Sequence, residues 1–370
     1  MKGIYPRSEL IESGYRTTAN LQQNWHAAAF PSSTRIDMSN RIILATIAAV
    51  FCSALIILSL TITIIDPYIK TTNWGVNLFE FYENNKELNK IYIIGDSLTV
   101  LGVDPVNVEN SLLLINLSFN VYSIAYPQDL PLNRIFELSN IVMSKPKIVI
   151  ICFHNSWLWP HEDFLSIQQN QQDGYAEKRF LLASDKIKID PYANTLFNKT
   201  ELDHVQMNPL SLISYKRRFL FQGIQLKLSN IGLMEYKPDK ASFDLFDFKN
   251  QIETTNKSVE HFKAPCWYNL SREDNRDRIC FRYIINYLKG HDIHVILVSM
   301  PLYPGIGKCK NNPNIFRDFV NSMDCPYYDL ESLCSEEEFQ DSIHTNYAGR
   351  RNITSKIAEI LLVEAKNVSQ

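Results

Sequence analysis

Three short, unbroken apolar runs punctuate the chain: Ile91-Tyr92-Ile93-Ile94, Ile148-Val149-Ile150-Ile151 and Val295-Ile296-Leu297-Val298. Each is too short for a typical helix and too continuous for a strand with one wet face. Strands buried on both sides of a parallel sheet read this way. Extended to 91–95, 147–153 and 293–299 and joined by weaker runs at 115–124 and 326–329, they make a set of candidate strands. Helical patterns fall between them at 105–114, 131–144, 272–289, 313–322 and 346–365, after a short amphipathic segment from Trp74 to Leu88. Strands separated by helical crossovers predict an α/β domain, a parallel sheet covered on both faces. Reactive groups in such sheets gather beyond the carboxyl ends of the strands.

One run is different in kind. Residues 42–65 carry no charge and are more than the roughly 20 residues a helix needs to cross a bilayer. A core helix would show a polar stripe, and here only Thr46, Ser53, Ser59, Thr61 and Thr63 are scattered through it. The run exceeds the apolar core of a cleaved signal and no small-x-small site follows it, so it reads as an uncleaved transmembrane anchor. Arg35 and Arg41 precede it against Lys70 behind it. That bias predicts a cytoplasmic N-terminus, with residues 70–370 in the periplasm, on the cell surface or in a secretory lumen. Residues 1–41 are a polar tail expected to be disordered, and Met38 offers a second start. Residues 156–271, rich in Tyr, Phe, Asn and Gln, are too long for a bare loop and predict an inserted lid or subdomain.

The chemistry begins where the first strand ends. Gly95-Asp96-Ser97 closes the run 91–95, and Asp341-Ser342-Ile343-His344 stands just before the last helical pattern. A serine hydroxyl becomes a nucleophile when an imidazole takes its proton, and a carboxylate orients that imidazole. Three-residue spacing brings Asp341 and His344 to one side of a helical turn. G-x-S-x-G is absent, since Thr99 stands at its second glycine; this counts against an α/β-hydrolase.

Gly-Asp-Ser and a late D-x-x-H block, in that order, resemble the SGNH or GDSL-type hydrolase superfamily. The resemblance covers core blocks within 91–366. It implies a three-layer α/β/α, flavodoxin-like fold with Ser97, His344 and Asp341 as the catalytic triad. It also implies an oxyanion hole built from the Ser97 amide, a second-block glycine and a third-block asparagine. Asn155, in Phe153-His154-Asn155-Ser156, matches that asparagine, although the usual glycine and aspartate around it are missing; a capping Asn at a turn is the other reading. Ala125-Tyr126-Pro127-Gln128-Asp129 has no glycine, and Gln128 falls nearest its position. His154 reads as a substrate contact or as a local hydrogen-bond partner. Trp157 and Trp159 read as stacking surfaces for sugar rings or acyl chains, or as packing beneath the lid. Asp96 is expected to orient the turn. An anchored, extracytoplasmic domain of this kind resembles cell-envelope proteins that move acyl groups on glycans, commonly with a multi-pass acyltransferase as partner. No metal or organic cofactor is implied. The missing glycine leaves a second class open, a non-catalytic envelope scaffold that keeps the fold.

Composition narrows the rest. A net charge of −3 on 370 residues gives no basic field for nucleic acid. No Gly-rich phosphate loop and no internal repeat is present. Cys266, Cys280, Cys309, Cys325 and Cys334 read either as a source of one or two disulfides or as buried thiols. His291 and His294 lack a carboxylate cluster and do not read as metal ligands.

Overall fold

The computed structural model describes residues 38–158 except 73 and 128, residues 190–197, 275–304 and 313–369, and short pieces at 199, 202, 228, 231–233 and 255–258. Two compact units divide at Leu58/Ser59. The first holds most of an apolar stretch, Arg41–Leu60, within helix α1 (Met38–Thr72). This stretch has a mean hydropathy of 2.7 and none of it is buried in the chain, so it is not a core helix; it is long and apolar enough to cross a membrane.

In the second unit, α2 (Trp74–Asn84) leads into β1 (Lys90–Ile94), α3 (Ser97–Gly102), α4 (Pro105–Leu113) and β2 (Asn120–Ser123). There follow α5 (Pro131–Arg134), α6 (Leu138–Ser144), β3 (Ile148–Phe153), a single turn α7 (Ala193–Leu196), α8 (Arg276–Lys289), β4 (His294–Ser299), α9 (Pro313–Asn321), β5 (Tyr327–Asp329) and α10 (Tyr347–Ser369). The strands form one parallel sheet in the order β2-β1-β3-β4-β5. The fold is the three-layer, flavodoxin-like α/β/α arrangement, and the chain changes winding direction between β1 and β3.

Strand alternation divides the core. Tyr92, Ile94, Val149, Ile151, Phe153, Val295 and Leu297 pack toward α2, α6, α8 and α9. Ile91, Ile93, Ile148, Ile150, Cys152, Ile296 and Val298 pack toward α4 and α10. Apolar side chains on both faces explain why these strands read as continuous runs.

The run 115–124 is a strand only from Asn120. Asn116 adopts the left-handed conformation (φ 62°) and its amide donates to the carbonyl of Leu113, which turns the chain at the end of α4 and leaves Leu114 and Ile115 exposed. Residues 131–144 form α5 and α6 around a 3₁₀ turn, Ile135–Glu137, rather than one helix. Cys280, Cys325 and Cys334 are thiols rather than bridged; Cys266 and Cys309 lie outside the described residues. So do residues 1–37 and most of the insertion 156–271. The insertion leaves and rejoins the domain at one place, because the Asn275 side chain donates to the carbonyl of Leu158 (2.9 Å).

Candidate active site

Gly95 ends β1 because nothing larger fits. A Cβ there would collide with the Thr99 side chain and stand 2.9 Å from the carbonyl oxygen of Cys152 on β3. Asp96 then caps α3, its Oδ1 accepting from the amide of Leu98 (3.0 Å). Ser97 is thereby the first residue of a helix, and its N–H has no partner within that helix.

The histidine comes from the other end of the chain on a closed loop. Phe339 and Thr345 form an antiparallel bridge, and the Gln340 amide donates to the carbonyl of His344 (2.9 Å). Inside the loop Asp341 Oδ1 accepts from the amides of Ile343 (2.8 Å) and His344 (2.7 Å). Sequence spacing predicts a helical turn here; the side chain makes an Asx turn instead, because its carboxylate takes over the amides. Asn346 anchors the exit, its Oδ1 accepting from the amides of Ala348 and Gly349 at the start of α10.

These two ends meet. His344 Nε2 lies 2.9 Å from Ser97 Oγ, and His344 Nδ1 lies 2.8 Å from Asp341 Oδ2. With a carboxylate facing Nδ1, the neutral ring carries its proton on that nitrogen and leaves Nε2 to accept from the serine hydroxyl. The imidazole is about one-fifth exposed and the carboxylate about half. Partial burial pushes the Asp341 carboxyl up, but the His344 amide, the His344 ring and the Ile343 amide together outweigh it and hold the group below the ordinary carboxylate range.

Asn155 begins a 3₁₀ turn directly after β3, the strand beside β1. It is 2% exposed, and its side-chain oxygen meets no donor among the described residues. The residue before it fixes the position of this turn. Asp96 Oδ2 accepts from His154 Nε2 (2.7 Å) and from the Trp157 indole N–H (3.2 Å). His154 and Trp157 are therefore turned into the protein onto the carboxylate beside Ser97. Gln128 and Trp159 lie outside the described residues.

The second block is held by residues that sequence reading missed. The Tyr126 amide donates to the carbonyl of Gly95 (2.9 Å), extending the β1–β2 ladder past Ser123. Behind it Arg134, 1% exposed, bonds to Asp129, to Glu137 Oε2 (2.8 Å) and to the carbonyl of Ile124 (2.7 Å). Tyr82 on α2 donates to the same Glu137 oxygen (3.4 Å). The available signal was three charges at 129, 134 and 137 inside an otherwise apolar segment, two of them one helical turn apart. A piece of the insertion also reaches this edge: Thr255 donates to the Gln340 side chain, and its carbonyl accepts from the Tyr347 amide (3.1 Å).

No family model and no curated protein matches the chain. Solved structures similar to it include TesA (10% identity, TM-score 0.35, covering 74% of this chain and 97% of that one). Others are a protein described as an acylhydrolase from Bacteroides fragilis NCTC 9343 (11%, 0.34, 80% and 98%) and an inhibitor-bound aryl esterase from M. smegmatis (13%, 0.30, 74% and 98%). The likeness is faint. The chemical reading stands on the side chains described above.

Proposed function

We propose that the chain is a membrane-anchored serine esterase or O-acyltransferase of the SGNH type, acting outside the cytoplasm on an acyl ester of the envelope, a glycan being the favoured acceptor or substrate. The observation that carries this reading is the relay Ser97 Oγ–His344 Nε2 (2.9 Å) and His344 Nδ1–Asp341 Oδ2 (2.8 Å), formed by residues 247 positions apart in the chain. His344 takes the proton as Ser97 Oγ attacks the ester carbonyl, and Asp341 stabilises the imidazolium. The tetrahedral oxyanion is met by the Ser97 amide at the start of α3 and by the side-chain N–H of Asn155, which stands at the end of the strand beside β1. Collapse expels the alcohol, which takes the proton from His344. The acyl-serine then passes to water in an esterase, or to an acceptor hydroxyl in a transferase. A multi-pass acyltransferase is the partner that the anchored architecture suggests.

A second reading, a non-catalytic envelope scaffold, is favoured by the absence of glycine from 125–129. Hydrolysis of p-nitrophenyl acetate by the full chain, compared with Ser97→Ala, separates the two. The enzyme predicts a loss of at least about 1,000-fold in kcat/KM. Equal rates favour the scaffold.

A further inference from the structure

We propose that residues 255–257, a piece of the inserted stretch, strap down the loop that carries Asp341 and His344, with Gln340 as the positioning residue through which they act. This deepens the proposed function and rests on it.

That loop needs holding. Ser97 is placed by β1 and α3, whereas residues 340–344 belong to no helix or strand. Phe339 and Thr345 bury the two ends of the loop, and Ile343 packs partly against the cluster that contains Phe339. Between these anchors the Asp341 carboxylate and the His344 imidazole both reach the surface.

The strap grips the loop on both sides. Before Asp341, the Gln340 side-chain oxygen accepts from the Thr255 amide (3.2 Å) and from the Thr255 hydroxyl (3.0 Å). After His344, the Asn346 carboxamide donates to the carbonyl of Lys257 (3.3 Å) and to that of Glu337 (2.6 Å). The Tyr347 amide donates to the carbonyl of Thr255 (3.1 Å). Tyr347 opens α10, where an amide has no acceptor inside the helix, and the strap supplies one. Thr255 alone therefore joins the residue before Asp341 to the first residue of α10.

Bonds of this kind add little to global stability. Residues 255–257 are exposed, and water replaces each bond when it breaks. Their effect is local. A loop left to its two buried ends opens more readily. Proton transfer from Ser97 Oγ depends on keeping His344 Nε2 at 2.9 Å. The two roles separate in experiment: a support of the fold alone moves the unfolding midpoint, whereas a positioning strap moves the rate of the folded chain.

The test reads p-nitrophenyl acetate hydrolysis and amide exchange at Tyr347 on the full chain in detergent, at about pH 8, where an unperturbed imidazole is neutral. Gln340→Leu keeps the bulk of the side chain and removes its acceptor. It is expected to lower kcat at least about tenfold with KM within about threefold, and to speed exchange at Tyr347 at least about tenfold. The chemical unfolding midpoint stays where it was, as for other surface changes. Gln340→Glu keeps oxygens that accept both Thr255 donors and is expected to hold kcat within about threefold of wild type. Faster exchange with kcat unchanged, or lost turnover without faster exchange, overturns the strap. So does a Gln340→Glu variant as slow as Gln340→Leu, or a loss that disappears when rates are counted per folded molecule. A wild-type chain no faster than Ser97→Ala overturns the proposed function and the strap with it. A wild-type chain that needs Ser97 while Gln340→Leu matches it overturns the strap alone.

Discussion

Ser97 gains its proposed reactivity from one neighbouring nitrogen, and residue-scale predictions follow from that dependence. Groups that act as a unit are not additive, so Ser97→Ala/His344→Ala is expected to be no slower than Ser97→Ala alone in ester hydrolysis. A further loss of tenfold or more would mean that the two side chains work independently. Amides and the His344 ring hold the Asp341 carboxyl below the ordinary carboxylate range, so it stays ionised at the mildly acidic pH where an unperturbed carboxyl begins to take up a proton. The same shift has a stability consequence. A carboxyl held low in the folded state stabilises above its unfolded pKa, and that contribution is lost as pH falls through the lowered value. Asp341→Asn therefore narrows its stability deficit only in strong acid, which unfolding midpoints between about pH 3 and pH 7 would register. Gly95 makes a different demand. Gly95→Ala is expected to destabilise by about 1–3 kcal/mol, with only partial recovery in Gly95→Ala/Thr99→Ala, since that change removes the Thr99 hydroxyl, the nearest obstacle, and leaves its Cβ at 2.6 Å and the Cys152 carbonyl at 2.9 Å.

At the scale of elements, two buried carboxylate clusters join the strand ends that build the site. Asp96 ties the turn after β3 to α3, the helix that begins at Ser97. Asp96→Ala removes a helix cap, about 1 kcal/mol, and strands the His154 and Trp157 donors at about 1–3 kcal/mol. Arg134 ties the second-block loop to β1 and β2. Arg134→Leu leaves Asp129 and Glu137 buried without their cation and is expected to cost about 3–5 kcal/mol in chemical unfolding. The strands were legible because double burial leaves an apolar run with no polar break, as at 148–151 and 295–298. The spacing of Asp341 and His344 was legible too, but not the Asx turn that orients them, since helical and Asx turns share that spacing. Arg134 was hidden for a physical reason. A lone arginine in a sequence reads as solvated, and only the fold brings Asp129, Glu137 and the carbonyls of Gly95 and Ile124 around it, the four groups that let it be buried.

For the whole molecule, an exposed 20-residue apolar helix at one end and a parallel α/β domain at the other predict partition into membranes through Arg41–Leu60. The chain should resist carbonate extraction and be released when 38–60 are deleted; release of the intact chain by carbonate would contradict the anchor. The fold class was legible from the alternation of strands and helices because a parallel sheet admits few alternatives. The substrate was not, since chemistry at a strand end does not specify the group brought to it.

The central claim is that Ser97 is a nucleophile activated by His344. A fluorophosphonate probe with mass-spectrometric mapping of the adduct tests it most directly. The account predicts modification of Ser97 in the wild-type chain and at least a hundredfold slower labelling in His344→Ala. Labelling of another residue, or of Ser97 at an unchanged rate without His344, would contradict it.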